Sequence, residues 1–344
     1  IRNWFNGQPI GMHGLLQPVD RDFITAWYGD PGNSVVLKVE GRRAFTDAGT
    51  LLGWDGASFI YRTDSKEDYR DYFIQGIRRS ADLWDQLIGL CKVMDRRASP
   101  NPAFDEKIDS VLDTEAFLRG FAPRVLQSDW DAFCVGNGHN GYLVIDPRDQ
   151  RWELLPFDMD NTFSNPSINF YPASDPDVAR LLSRPAQRRL YFRILSEYIG
   201  GYWSSARAGP YLDALQKATA IGFTGIKSYL TTTSAQVRNL IQSSTTSPFR
   251  IVTNDGKDIT TGAARIELTG DAPIQVVQVF HHRNDEDFEP LAPAWTSPVR
   301  WLASFDLPEA ENRFEFLAFD AAGNLTHEAR IAVRTTAHLP PPAL

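Results

Sequence analysis

At 344 residues, 42% hydrophobic and 23% charged, the chain is long enough for two domains that each bury a core. Its net charge of −8 argues against nucleic acid or an anionic membrane as the main partner, and no apolar run approaches the roughly 18 residues of a membrane helix. Two cysteines, Cys91 and Cys134, supply neither a disulfide framework nor a metal set; they either pair with each other or stand as two buried thiols, the latter being the expected reading.

The chain opens on Ile1-Arg2-Asn3-Trp4-Phe5 without an initiator Met, which reads as a start inside a domain. Residues 1–5 and 10–16 are predicted strands of a hairpin turning at Asn6-Gly7-Gln8-Pro9. Pro18 opens a helix with Val19, Phe23, Ile24 and Trp27 on one face, stopped by Gly29-Asp30-Pro31-Gly32. Residues 34–39 form a third strand carrying Lys38, and 41–62, rich in Gly and Asp, has no assignable element. A helical pattern covers 65–97 in one or two pieces, clearest at Leu83, Trp84, Leu87, Ile88 and Cys91, and Ser99-Pro100-Asn101-Pro102 breaks it. Asp113 caps a helix burying Phe117, Leu118, Phe121, Val125 and Leu126, which Pro123 should kink or split. A Gly/Asn-rich loop to Asn140 follows, then a strand at 142–145, a turn at Asp146-Pro147-Arg148-Asp149, and a strand running into Asp158.

Past the polar loop 164–176 the text is helical at 178–182, 187–198, 211–218 and 235–241. After Ser243-Ser244-Thr245-Thr246-Ser247-Pro248 helix patterns give way to short alternating strands at 264–268, 274–280, 299–306, 313–319 and 329–334. That suggests an immunoglobulin-like sandwich. The expected organisation is an α+β domain at 1–242, a linker at 243–249, the all-β sandwich at 250–336 and a Pro-rich tail at 337–344. Trp295 and Trp301 read as core or edge residues of the sandwich.

Polar groups with no structural task gather between Asp129 and Asn161. Asp158 and Asp160, at i and i+2, fall on one side of an extended backbone, and two like charges so close want a cation, a proton or a cationic substrate. Taken alone, the pair also fits a solvated turn closing a hairpin. A calcium loop is excluded, because the sixth position is not Gly and the twelfth is not Glu. Asp131, then Asn140 nine residues on, then Asp158 after two strands, is an order suited to phosphoryl transfer: one Asp orients the nucleophile while Asn and a second Asp hold Mg²⁺. A glycosidase using two acids stays open on spacing alone. His139 lies within this stretch; His13, His281, His282 and His327 show no metal-ligand spacing.

Six ordered segments carry a resemblance: Asn6-Gly7-Gln8-Pro9-Ile10-Gly11 with Gln17-Pro18-Val19-Asp20, Val36-Leu37-Lys38, Leu112 to Leu118, Asp129-Trp130-Asp131, His139 to Leu143, and Leu155-Pro156-Phe157-Asp158-Met159-Asp160-Asn161-Thr162-Phe163. Residues 1–241 resemble the CotH kinase family of atypical, secreted or surface-associated protein kinases. The resemblance implies a divergent kinase-like fold that binds ATP with Mg²⁺ and phosphorylates Ser or Thr of secreted, coat or surface proteins. Carried over by position, Asp131 is the catalytic Asp, Asp158 and Asn140 are metal ligands supported by Asp160, and Lys38 and Gln17 lie where the nucleotide is expected. The sequence departs from the family at Gln17, usually Glu, at His13, usually aromatic, and in a longer loop between Asp131 and Asn140. The family also carries a segment before the first hairpin with phosphate-binding basic residues, so the small lobe is expected to be truncated here. These departures leave a second reading, a non-catalytic surface or adhesion protein whose sandwich binds cell wall or carbohydrate. Either way the expected location is extracytoplasmic.

Overall fold

The computed structural model describes residues 2–5, 8–12, 17–29, 34–77, 83–98, 100–166, 169–171 and 173–337. They form two compact units, Ile1–Leu182 with Glu197–Ala235, and Ser183–Ser196 with Gln236–Leu344.

In the first unit, β1 (Arg2–Phe5) pairs antiparallel with β2 (Gln8–Met12). Gln8 and Pro9 thus belong to the second strand rather than to the turn. Pro9 has no N–H for the ladder, and the register shifts beside its partner, between Asn3 and Trp4. The Asn6-Gly7 turn and His13 lie outside the described residues. Helix α1 (Arg21–Tyr28) starts where Asp20 accepts the Phe23 N–H at 3.0 Å and ends at Gly29, whose φ of 86° only glycine adopts freely.

Strand β3 (Val35–Val39) is apolar along almost its whole length because both faces are covered. The unassigned stretch after it is a hairpin of β4 (Gly41–Phe45) and β5 (Leu51–Gly56). The expectation of helix over 65–77 is corrected: a 3₁₀ turn at Lys66–Asp68 leads into β6 (Phe73–Ile77), which pairs with β3, and residues 78–82 lie outside the described residues. Helix α2 (Leu83–Met94) follows as expected, and α3 (Pro102–Val111) begins on the proline that was read as a breaker, since the first helical position needs no N–H.

Helix α4 (Thr114–Leu126) is capped by Asp113, which accepts the Ala116 N–H at 2.9 Å. Pro123 does not split it. The carbonyl that Pro123 leaves without an N–H, that of Arg119, accepts instead from the Tyr198 hydroxyl at 3.0 Å. Strands β7 (Gly141–Ile145) and β8 (Trp152–Pro156) complete an antiparallel sheet of order β6-β3-β7-β8. Alternation puts Val36, Lys38, Tyr142, Val144 and Leu155 on one face, where Ile24 of α1 joins Val36 and Val144 in a buried cluster. Helix α4 covers β8 so closely that a methyl on Gly120 would sit 2.0 Å from the Leu154 carbonyl oxygen. Helices α5 (Pro176–Ser183), α6 (Pro185–Gly200), α7 (Ser205–Thr219) and α8 (Thr224–Thr245) follow, and α8 continues into the Ser/Thr-rich stretch.

The second unit is built on β9 (Arg250–Ile251), β10 (Ile259–Thr261), β11 (Arg265–Asp271), β12 (Gln278–Arg283), β13 (Glu289–Pro290), β14 (Ala294–Trp295), β15 (Arg300–Asp306), β16 (Glu311–Phe319) and β17 (Leu325–Thr335). They form sheets of order β10-β17-β16-β12-β13 and β14-β15-β11-β9. Trp301, Phe305, Phe314, Phe316, Ile331 and Val333 are core residues of this unit. Its helical segment, residues 183–196, is tied in by the buried Arg189 guanidinium. That group donates to the Ala272, Pro273, Val276 and Pro298 carbonyls and stacks 3.9 Å from the Trp295 ring. The chain is therefore α+β: a mixed helical domain followed by a β-rich region.

Candidate active site

The site is assembled around a cation that sequence reasoning passed over. Arg124 lies on the buried face of α4 with no exposed side-chain surface and pairs with the equally buried Asp129 at 2.8 Å. Its remaining donors reach the Asn140 carbonyl and, at 2.8 Å, the Phe157 carbonyl. One guanidinium thus ties together three points: the side chain two residues before Asp131, the backbone of Asn140, and the backbone of the residue before Asp158. Burial raises the Asp129 carboxyl and Arg124 acts in the opposite sense. The sequence signal was an arginine in an otherwise apolar helix face, five residues before an Asp.

Asp131 is largely buried and accepts from four side chains. Asn137 Nδ2 and His139 Nε2 approach Oδ1 at 2.9 and 2.8 Å, and Asn161 Nδ2 and Asn140 Nδ2 approach Oδ2 at 3.2 and 3.3 Å. Asn140 also donates to the Asp131 carbonyl at 3.0 Å. A carboxylate can only accept, so His139 carries its proton on Nε2. Burial of Asp131 would raise its carboxyl, but the bonds from Asn137, His139 and Asn161 outweigh it and hold the group below the usual carboxylate range. Asn161 bridges onward to Asp160 at 3.0 Å, so Asp131, Asn140, Asn161 and Asp160 form one hydrogen-bonded chain.

Asp158 follows β8, exposed and at a φ of 56°, with no side-chain hydrogen bond or ion pair to a described residue. Six of the ten described non-glycine residues with positive φ lie between Ser128 and Phe163, so these loops hold conformations their surroundings must impose. Part of that imposition is visible at Phe163, whose N–H donates to the Gln127 carbonyl at 2.7 Å and whose ring stacks on Trp203.

Lys38 reaches the same region from β3. Its ammonium pairs with Glu40 and lies 5.6 Å from the centre of the Phe157 ring, the residue before Asp158. Gln17 is exposed ahead of α1 and makes no hydrogen bond with a described residue. The structure therefore joins Asp131, Asn140 and Asp160 in one hydrogen-bonded chain and sets Lys38 near the ring of Phe157, the residue before Asp158.

The donor chemistry fits a hard divalent cation. Asp158 and Asp160 are exposed, and Asn140 uses its amide nitrogen on Asp131, so its oxygen is the atom that could face a cation. Among the described residues no three His, Cys, Asp or Glu side chains converge. Mg²⁺ does not need them, because it takes one or two carboxylates with waters and substrate oxygens.

Residues 4–232 match the family model for CotH kinase protein, and the chain belongs to that family. It is 25% identical over 165 residues to Invasin CotH3 of Rhizopus delemar, and 25% identical over 168 residues to Invasin CotH2 of the same organism. Each match covers 47% of this chain but 26% of the relative, so the chain spans about a quarter of their length. Among solved structures, fibronectin(III)-like modules of Clostridium thermocellum CbhA align over 27% of this chain and all of that chain. The identity there is 11% and the TM-score 0.20. No helix among the described residues is long and apolar enough to cross a membrane.

Proposed function

We propose that the first unit transfers the γ-phosphoryl group of ATP, with Mg²⁺, to Ser or Thr hydroxyls of surface or coat proteins. The observation that carries this is the Asp131 carboxylate, largely buried, bonded by four side-chain donors and linked through Asn161 to the exposed Asp160. The two bonds to Oδ2 are the longer ones, so Oδ2 is the oxygen an acceptor hydroxyl displaces them from. There Asp131 orients the hydroxyl as its oxygen bonds to phosphorus, the bond to the ADP oxygen breaks and the proton leaves toward Oδ2. Asp158, Asn140 and Asp160 would hold Mg²⁺, which supplies neutralisation of charge on the phosphates. Lys38 and Gln17 would face the nucleotide.

A second reading is a non-catalytic adhesion protein outside the cytoplasm, with the β-rich unit binding cell wall or carbohydrate. It is favoured by the relatives' name, invasin. Calorimetry separates the two. The phosphotransferase reading expects ATP to bind only when Mg²⁺ is present, and Asp158→Ala to weaken binding about tenfold or more. No heat of ATP binding by the wild-type chain, with retained adhesion to cell wall, supports the second reading.

A further inference from the structure

The donors to Asp131 are themselves held by a residue far away in sequence. Trp54, on β5, donates its indole N–H to Asn137 Oδ1 at 2.9 Å, across 83 residues. Its ring meets the His139 imidazole edge-on, with centroids 5.1 Å apart. Asn137 and His139 are the two groups that donate to Asp131 Oδ1.

Direction is what matters in this chain of bonds. An indole N–H only donates, so Asn137 must turn its oxygen to Trp54 and its NH₂ to Asp131. The Gly138 N–H, 3.1 Å from the same oxygen, acts in the same sense. Without the indole donor the amide loses one of the two N–H groups that hold its oxygen away from Asp131, and any rotation that turned this oxygen toward the carboxylate would cost Asp131 a donor.

Trp54 is in turn held from outside the loop. A methyl on Gly41 would lie 2.3 Å from the indole ring, so glycine there makes room for it, and the Arg43 guanidinium sits 5.1 Å from the ring centre. The end of β5 is sewn to the same loop: the Ala57 N–H donates to the Gly138 carbonyl at 2.8 Å. The backbones of Gly56 and Gly138 are in contact, and a methyl on Gly138 would lie 2.3 Å from the Gly56 Cα. Two neighbouring glycines at a close backbone approach, one on each segment, leave the hairpin no freedom to slide over the loop.

We infer that Trp54 is a positioning residue for phosphoryl transfer: it fixes the Asn137 amide and the His139 ring so that both present N–H to Asp131 Oδ1, leaving Oδ2 for the acceptor hydroxyl. This rests on the phosphotransferase reading of the same site.

The test measures phosphate transfer by the full chain at varied ATP for wild type, Trp54→Phe, Asn137→Ala and the double variant. Leu52→Ala, at an exposed position on the same hairpin, serves as control. Trp54→Phe keeps an aromatic ring but removes the donor. The inference expects it to lower kcat about tenfold with the KM for ATP nearly unchanged, as for one lost oriented hydrogen bond. Asn137→Ala should do the same, the double variant should be no slower than the slower single one, and Leu52→Ala should match wild type. An unchanged kcat in Trp54→Phe, or a double variant slowed by the product of the two single effects, overturns it. If Trp54→Phe does not fold, Asn137→Ala decides: an unchanged kcat there also overturns the inference. A wild-type chain that transfers no phosphate, with or without Mg²⁺, removes the phosphotransferase reading itself, an outcome distinct from an active enzyme indifferent to Trp54.

Discussion

Arg124 is the side chain on which the geometry around Asp131 most depends. A buried guanidinium and a buried carboxylate cost several kcal/mol each to dehydrate, and their attraction offsets that only because every direction of the fork is used. Here Asp129, the Asn140 carbonyl and the Phe157 carbonyl use them. Arg124→Met should therefore lower the stability of the chain by about 3–5 kcal/mol, because Asp129 is left buried and unpaired. Urea unfolding measures this, and a loss below about 1 kcal/mol would show that the pair does not hold the loops. The same residue explains why spacing could place Asp131, Asn140 and Asp158 in one neighbourhood but could not say how they are held. The holding groups are Arg124, which looks like any helix arginine in the text, and Trp54, which lies 83 residues from its partner.

Among the elements, those with a strong pattern were legible: β3 from its apolar run, α4 from its Asp113 cap, β7 and β8 around the Asp146 turn, and the alternating strands of the second unit. The β4–β5 hairpin was not, and its burial explains why. Almost every position from Arg42 to Gly53 is exposed, so neither face is apolar and no alternation arises. Residues 65–77 were misread because charged residues at helical spacing cannot be told from a 3₁₀ turn leading into an edge strand. Helix α5 offers a test at this scale. Asp175 caps it, accepting the Asp177 and Val178 N–H groups at 2.9 and 3.0 Å. Burial, then the neighbouring Asp177 carboxylate, push the Asp175 carboxyl up to about 6. Its folded value thus lies above its unfolded one, so its stabilising contribution is complete below about pH 4 and is lost as pH rises through about 6. Asp175→Asn keeps the cap without the charge. It should stabilise the chain by on the order of 1–2 kcal/mol at pH 7, a gain that vanishes near pH 4. Thermal unfolding at the two pH values checks it; an equal difference at both would contradict the assignment.

At the scale of the whole molecule, a CotH domain and a β-rich region share one chain, and the family match ends at residue 232, within α8. Each unit keeps its own buried arginine. Arg124 gathers the site loops of the first, and Arg189 gathers four carbonyls of the second around a helical segment. Family membership is settled by the sequence, whereas chemistry depends on whether Asp131 and Asp158 act together on a nucleotide. The most direct measurement is transfer of labelled phosphate from ATP to a generic protein acceptor such as casein, by the full chain with Mg²⁺. Wild type should label the acceptor, and Asp131→Ala and Asp158→Ala should each reduce the rate about 100-fold or more. Equal labelling by wild type and both variants, or no labelling by wild type, would contradict the assignment of this site to phosphoryl transfer.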